Sequence, residues 1–165
     1  MALTSQRIQD LVDQIVRLLQ QREQATYCVQ QSDLAKGLPA PVFLHHAHLH
    51  IELPDLGFIH HLAQLDTSDH AVQTVLDAWS YGVDVRITLH PHLLRALPVQ
   101  ALSHLPITLQ EPGGRPVYLC AQPVVSYQDV VQLEPALLVL APRTLLTPLA
   151  RDMMQQHTIS WIRPE

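Results

Sequence analysis

The sequence predicts an α/β fold: a single compact domain of alternating helices and strands with a mixed, partly parallel sheet, preceded by an N-terminal amphipathic helix. Three observations predict it. The first 24 residues carry a helical apolar stripe, and strand-like and helix-like segments alternate through the later chain. The 165 residues are 47% hydrophobic and only 15% charged. A chain of this length and composition can bury a core without disulfides or metals.

The N-terminal segment repeats apolar residues at the three-and-four spacing of one helical face. Thr4 or Ser5 can cap its start. The stripe consists of Ile8, Leu11, Val12, Ile15, Leu18 and Leu19. A helix over 4–22 is about 28 Å long and only marginally stable alone, so its stripe has to pack against something. Two interpretations stay open: the stripe covers the domain's own sheet, or it enters a groove on another protein.

The segment after this helix has the composition of a connection. The polar stretch 30–33 is followed by Gly37, Pro39 and Pro41, residues that favour turns over regular structure. The chain is therefore expected to divide into a docking helix over 1–24, a connection over 25–41 and an α/β domain over 42–165.

Strand-like and helix-like patterns alternate through 42–165. Gly82 ends a helix, Thr147 caps the last helix with Pro148 at its first position, and Gly113 belongs to a hairpin turn. Strands are predicted over 42–51, 83–89, 107–109, 117–121, 136–141 and 158–162. Helices or helical turns are predicted over 55–65, 69–81, 91–105, 127–133 and after 147.

Charge and cysteine usage exclude several classes of partner. Lys and Arg total 10 against 15 Asp and Glu, and Lys36 is the only lysine, so nucleic-acid binding is not expected. The polar face of the N-terminal helix carries few basic residues, and no apolar run approaches about 18 residues, so membrane binding is not expected either. Cys28 and Cys120 belong to no spaced set, which favours buried thiols in a reducing cytosol.

Histidines form the most conspicuous local pattern. Residues 45–50 read HHAHLH, and a strand would place His46, His48 and His50 in one row. Imidazoles on one face can bind zinc, nickel, copper or cobalt. The plainer interpretation, which we favour, is that histidine serves here as a polar residue on a solvent-facing strand. No cofactor is therefore expected.

The start of the last helix offers a second candidate site. Its free backbone amides could hold an anion near Thr147 and Arg151. Ordinary capping by Thr147 explains the same residues and is the interpretation we favour. The sequence contains neither the GxGxxG nor the GxSxG motif, and no catalytic residue set is predicted.

A series of segments along the chain has a recognisable order. The series begins with IQDLVDQIV at 8–16 and LDAWSYGV at 76–83. It continues with the segments 85–90, 96–99, 105–107, 125–130, 146–152 and 159–162. In this order and pattern the chain resembles the PduM family of propanediol-utilisation microcompartment proteins over almost its entire length. The last block is the least specific, because similar endings occur in other microcompartment-associated proteins.

The resemblance implies a minor component of the protein-shelled organelle that degrades 1,2-propanediol, required for organelle assembly and without an established enzymatic activity. The N-terminal helix is also similar to the short encapsulation helices that attach cargo to shell proteins. We therefore predict a non-catalytic assembly component that links shell proteins or encapsulated enzymes inside a cytoplasmic microcompartment. The alternatives are a metal- or cofactor-binding accessory enzyme of the same organelle and a chain that associates with its own copies.

Overall fold

The computed structural model describes residues 2–164. Its α-helices are α1 Ala2–Gln24, α2 Gln31–Leu34, α3 Ala40–His45, α4 Leu56–Ala63, α5 His70–Ser80, α6 Val99–Leu102, α7 Tyr127–Val130 and α8 Pro148–Gln156. Its strands are β1 Thr26–Gln30, β2 His48–Glu52, β3 Asp84–Thr88, β4 Ile107–Gln110, β5 Pro116–Cys120, β6 Val124–Val125, β7 Leu137–Leu140, β8 Leu145–Leu146 and β9 Ser160–Ile162. A 3₁₀ helix covers Pro91–Ala96.

Seven strands form one mixed sheet in the order β1-β2-β3-β4-β5-β7-β9. The β4–β5 pair is antiparallel, and every other neighbouring pair in this sheet is parallel. The antiparallel pair is the predicted hairpin, whose turn places Gly113 and Gly114 at positive φ. The remaining strands, β6 and β8, pair in parallel as a separate two-stranded sheet. The predicted α/β class with a mixed, partly parallel sheet and a leading helix is confirmed.

The main core lies on one face of the sheet. Inward side chains of β2 and β3, including Leu49, Ile51 and Ile87, pack with α4 and α5, where Phe58 and Val75 are buried. Asp55 caps α4 by accepting a hydrogen bond from the Phe58 amide. Thr74 ties α5 to α2 through a hydrogen bond from its hydroxyl to the Leu34 carbonyl oxygen.

A second, smaller core lies on the other face, over β7. Leu138 and Leu140 point to this side and pack with Ala150 and Met154 of α8. All four residues of β7 are buried, because their side chains alternate between the main core and this second core. This explains why the predicted strand over 136–141 is apolar at every position.

The rest of that second face, over β1 to β4, has no helix on it in the described part of the chain. Its side chains are polar, and apart from Thr88 they are exposed or half-buried. We call this surface the open face. It consists of Thr26, Cys28, Gln30, His48, His50, Glu52, Asp84, Arg86, Thr88, Thr108 and Gln110. Parallel sheets are usually covered on both sides, so an open face of this extent is uncommon.

The structure differs from the sequence predictions over residues 25–41, in the first half of 42–51 and at the two cysteines. Residues 25–41 hold β1 and α2, with Val29 and Leu34 buried in the main core, where a connection was expected. The first half of the strand predicted over 42–51 is α3, because Pro41 suits the first turn of a helix and Phe43 is buried and stacks on Tyr81. The prediction that Cys28 is buried is wrong, because Cys28 lies on the open face. Cys120 is only half-buried.

Candidate functional site

Helix α1 leaves the body of the protein with its apolar stripe uncovered. Ile8 and Leu11 are each 59% exposed, and Val12 is 44% exposed. The other members of the predicted stripe, Ile15, Leu18 and Leu19, are also exposed. The stripe therefore does not pack on the domain's own sheet, which was one of the two interpretations that the sequence leaves open. Sequence reasoning left one neighbour out of the stripe, Val16, which is exposed beside it.

The contact that holds α1 to the body lies at its carboxyl end. The Arg22 side chain donates hydrogen bonds from Nη2 to the Tyr81 carbonyl oxygen at 2.9 Å, and from Nε and Nη2 to the Phe43 carbonyl oxygen at 3.3 Å. The Arg22 carbonyl oxygen accepts the Ala47 amide at 3.0 Å. These bonds reach α3 and the residue that follows α5, and they help to set the direction in which the helix leaves the body.

The three histidines of the predicted row are not brought together. His46 precedes β2 rather than lying on it; its Nδ1 bonds to the Val42 carbonyl oxygen at 2.8 Å and its ring packs against Tyr27. His48 and His50 share the open face, as their spacing predicts, but they have separate partners. His48 Nε2 bonds to the Glu23 carbonyl oxygen at 2.9 Å, at the end of α1.

Instead, the open face brings His50 next to Cys28, which the sequence predicts to be a buried thiol. Its Nδ1 lies 3.9 Å from the Cys28 sulfur, and Cys28 and His50 are register partners on β1 and β2. Glu52, two residues further along β2, completes a group whose ligand atoms all lie within 4.8 Å of one another. No local spacing signals this group, because Cys28 is 22 residues from His50 and meets it only through strand register.

A shallow groove of about 430 Å³ runs over the amino-terminal half of the open face. His48, Asp84 and Arg86 line it, and the His48 Nδ1 lies 3.6 Å from an Asp84 carboxylate oxygen. Asp84 and Arg86, two residues apart on β3, bring charges of opposite sign to this groove.

Comparison with known proteins identifies the family. The family model described as "Putative propanediol utilisation" matches residues 10–160. The chain is 32% identical to the bacterial microcompartment assembly protein PduM of Salmonella typhimurium (strain LT2) and 29% identical to the protein of the same name from Citrobacter freundii. Each alignment covers 99% of this chain and 100% of the relative. The chain belongs to the PduM family. No solved structure matches it.

In this PduM-family chain, the shifted pKa values described next have local causes, either hydrogen bonds or burial. The hydrogen bond from His61 to the Asp69 carboxylate, at 2.7 Å, raises the pKa of His61. Burial opposes ionisation of Asp69, but hydrogen bonds from His61 and from the first amides of α5 outweigh it and lower the pKa of Asp69. The Ser126 amide and hydroxyl lower the pKa of Asp129 in the capping box of α7. Burial raises the pKa of the Cys120 thiol.

The predicted anion site at the start of α8 has the geometry of an ordinary cap. The Thr147 hydroxyl oxygen accepts the Ala150 amide at 3.2 Å, with Pro148 at the first helical position. Arg151 is exposed on the same helix. Within residues 2–164, no helix is long and apolar enough to cross a membrane.

Proposed function

We propose that this chain is a non-catalytic assembly component of the propanediol-degrading bacterial microcompartment, and that α1 attaches its α/β body to a shell protein or an encapsulated enzyme. Family membership and the assembly role named for the two PduM relatives support the organelle and the kind of role. The observation that carries the attachment step is the uncovered stripe of α1, whose members are between 44% and 59% exposed.

Helix α1 is shaped for capture by a groove on another protein. Its 23 residues extend about 35 Å, long enough for several turns to lie along a partner. Alone in water, such a helix is only marginally stable, because most helical stability in proteins comes from packing of an apolar face. Burial of the stripe by a partner would supply that packing, in the manner of other amphipathic helices that dock in apolar grooves.

The body is expected to act as a bridge or payload at the end of the helix. Arg22 holds the end of the helix against α3 and the residue that follows α5. The orientation of α1 is therefore coupled to that of the body. The microcompartment within the cytoplasm is the location that this role requires. The partner is expected to be a protein rather than a nucleic acid or a membrane, since the stripe is apolar and the chain carries a net charge of −5.

The test is a pull-down of the full-length chain with the organelle's purified shell proteins and core enzymes. Replacing Leu11 and Ile15 with Asp puts two charges into the stripe and should abolish binding. The matched control, Gln6→Asp with Gln21→Asp, adds the same charge to α1 outside the stripe and should bind normally. Circular dichroism and light scattering check folding and self-association.

Three results would contradict the proposal. Retained binding by the Leu11→Asp/Ile15→Asp variant would move the interaction to the α/β body. Equal loss in the Gln6→Asp/Gln21→Asp control would point to net charge rather than to the stripe. A full-length dimer that the stripe variant converts to a monomer, with no binding to any shell or core component, would show that α1 pairs with its own copy.

A further inference from the structure

Three metal-ligating side chains converge on the open face, at the edge formed by β1 and β2. Cys28 and His50 are direct register partners, and Glu52 lies two positions further along β2 on the same face. The sulfur, imidazole and carboxylate ligand atoms are all within 4.8 Å of one another. Cys28 and His50 lie in the middle of their strands, and Glu52 is the last residue of β2.

The spacing of these atoms suits a tetrahedral ion. Typical zinc bonds of about 2.3 Å to sulfur and about 2.05 Å to nitrogen, at a tetrahedral angle, place the two ligand atoms about 3.6 Å apart. The observed distance from the Cys28 sulfur to His50 Nδ1 is 3.9 Å. Glu52 is exposed and has rotatable side-chain bonds, so its carboxylate can close the remaining gap without movement of the backbone.

A second layer of residues orients the imidazole. On the far side of the ring, His50 Nε2 lies 2.6 Å from the Thr88 hydroxyl oxygen. That oxygen also accepts a hydrogen bond from the Gln110 side-chain amide at 2.9 Å. With its proton on Nε2, His50 donates to Thr88 and turns the Nδ1 lone pair towards Cys28. Metal-binding histidines commonly have such an outer partner, which holds the ring and its tautomer.

We propose that Cys28, His50 and Glu52 bind Zn²⁺, with a water molecule in the fourth position. A thiolate together with an imidazole selects a borderline-soft cation over Mg²⁺ and Ca²⁺, which prefer oxygen ligands. On binding, the Cys28 thiol loses its proton to solvent and forms the zinc–sulfur bond. The thiolate and the carboxylate together balance the charge of the ion. Arg86, the register partner of His50 on β3, adds a further positive charge to this face.

The ion would join the edge strand to its neighbour. β1 is the edge strand of the sheet, next to β2, and it follows α1 after one residue, so a zinc bridge across these two strands stiffens the base of the projecting helix. Because the site faces solvent, its fourth position is accessible to a donor group in place of water. The site does not rest on the proposed docking role, since none of its residues belongs to α1.

The experiment uses the full-length chain without a histidine tag. The protein is loaded with Zn²⁺, desalted and analysed for metal, and a parallel sample is titrated with Co²⁺ and followed by absorbance. We expect about one zinc per chain after desalting, a cobalt–thiolate charge-transfer band and the visible bands of tetrahedral cobalt. Cys28→Ser should remove the charge-transfer band. Thr88→Val should weaken Zn²⁺ binding about 10–100-fold while leaving all three ligands in place.

Matched controls use the other cysteine and the neighbouring histidine. Cys120→Ser and His48→Gln should retain one zinc per chain and the cobalt spectrum, and circular dichroism checks that every variant is folded. Less than about 0.2 zinc per chain after desalting of the folded parent protein would overturn the proposal. So would a cobalt–thiolate band that survives Cys28→Ser or disappears with Cys120→Ser. None of these readouts depends on pull-down of shell proteins, so the two proposals fail separately.

Discussion

Replacing Arg22 with Ala tests whether one side chain anchors the projecting helix to the body. Alanine keeps the helical propensity of α1, so the change removes only the bonds to the Phe43 and Tyr81 carbonyl oxygens. A hydrogen bond to a charged group contributes about 1.5–3 kcal/mol. Here two of the three contacts are long, at 3.3 Å, and water can reach the half-buried guanidinium. We therefore expect the free energy of unfolding to fall by about 1–3 kcal/mol.

Thermal denaturation followed by circular dichroism measures this loss. For a domain of this size, each kcal/mol lowers Tm by about 2–4 °C, so Arg22→Ala should melt about 2–12 °C below the parent protein. Arg17→Ala is the matched control on the same helix, because the hydrogen bond of Arg17 to the Asp13 carbonyl oxygen lies within α1. The unfolding free energy of the Arg17→Ala variant should stay within about 0.5 kcal/mol of that of the parent protein. Equal effects of the two substitutions, or no effect of either, would refute Arg22 as the anchor.

Three further predictions concern helix α1, the main core and the dependence of stability on pH. Deleting residues 2–20 should change the unfolding free energy of the body by no more than about 0.5 kcal/mol in urea denaturation, since the side chains of 4–20 are exposed. Phe58→Ala should destabilise by about 3–5 kcal/mol in the same assay, because Phe58 is fully buried. His61→Gln should lower Tm more at pH 5.5 than at pH 8.5. Because the folded-state pKa of His61 is raised above 6.5, its pairing with Asp69 stabilises below that value and is lost as pH rises through the folded pKa.

Each of these predictions has a contrary outcome. A body that unfolds when residues 2–20 are removed would make α1 part of the core. A loss below about 1 kcal/mol for Phe58→Ala would mean that the main core does not pack around this ring. Equal destabilisation of His61→Gln at both pH values would show that the ion pair with Asp69 is not what His61 contributes.

Most helices of the body could be predicted because their signals are local. Asp55 and Asp69 cap α4 and α5 as their positions before apolar periodic segments suggest, and Gly82 ends the second of these helices at a positive φ. Thr147 and Pro148 open α8 in the same way. Capping and termination depend on the few neighbouring residues that carry the free amides or the left-handed turn, so sequence is sufficient.

The strand β1 could not be predicted, and the candidate metal group could not be predicted with it. The segment TYCVQ is short and follows the helix after a single residue, and it becomes a strand because it pairs with β2. Without that pairing, nothing in the sequence places Cys28 beside His50. The helix α3 was missed for a similar reason, since burial of Phe43 against Tyr81 outweighs the strand-like pattern of its residues.

The sequence by itself determined the α/β class, the leading amphipathic helix and the family resemblance, because these depend on periodicity, composition and residue order. Only the tertiary structure decided that the stripe of α1 stays uncovered, that one face over β1 to β4 is open, and that Cys28, His50 and Glu52 meet. Alternation along a strand states which residues share a face. It carries no information on which strand lies alongside or which face a helix covers, since those depend on contacts between residues far apart in the chain.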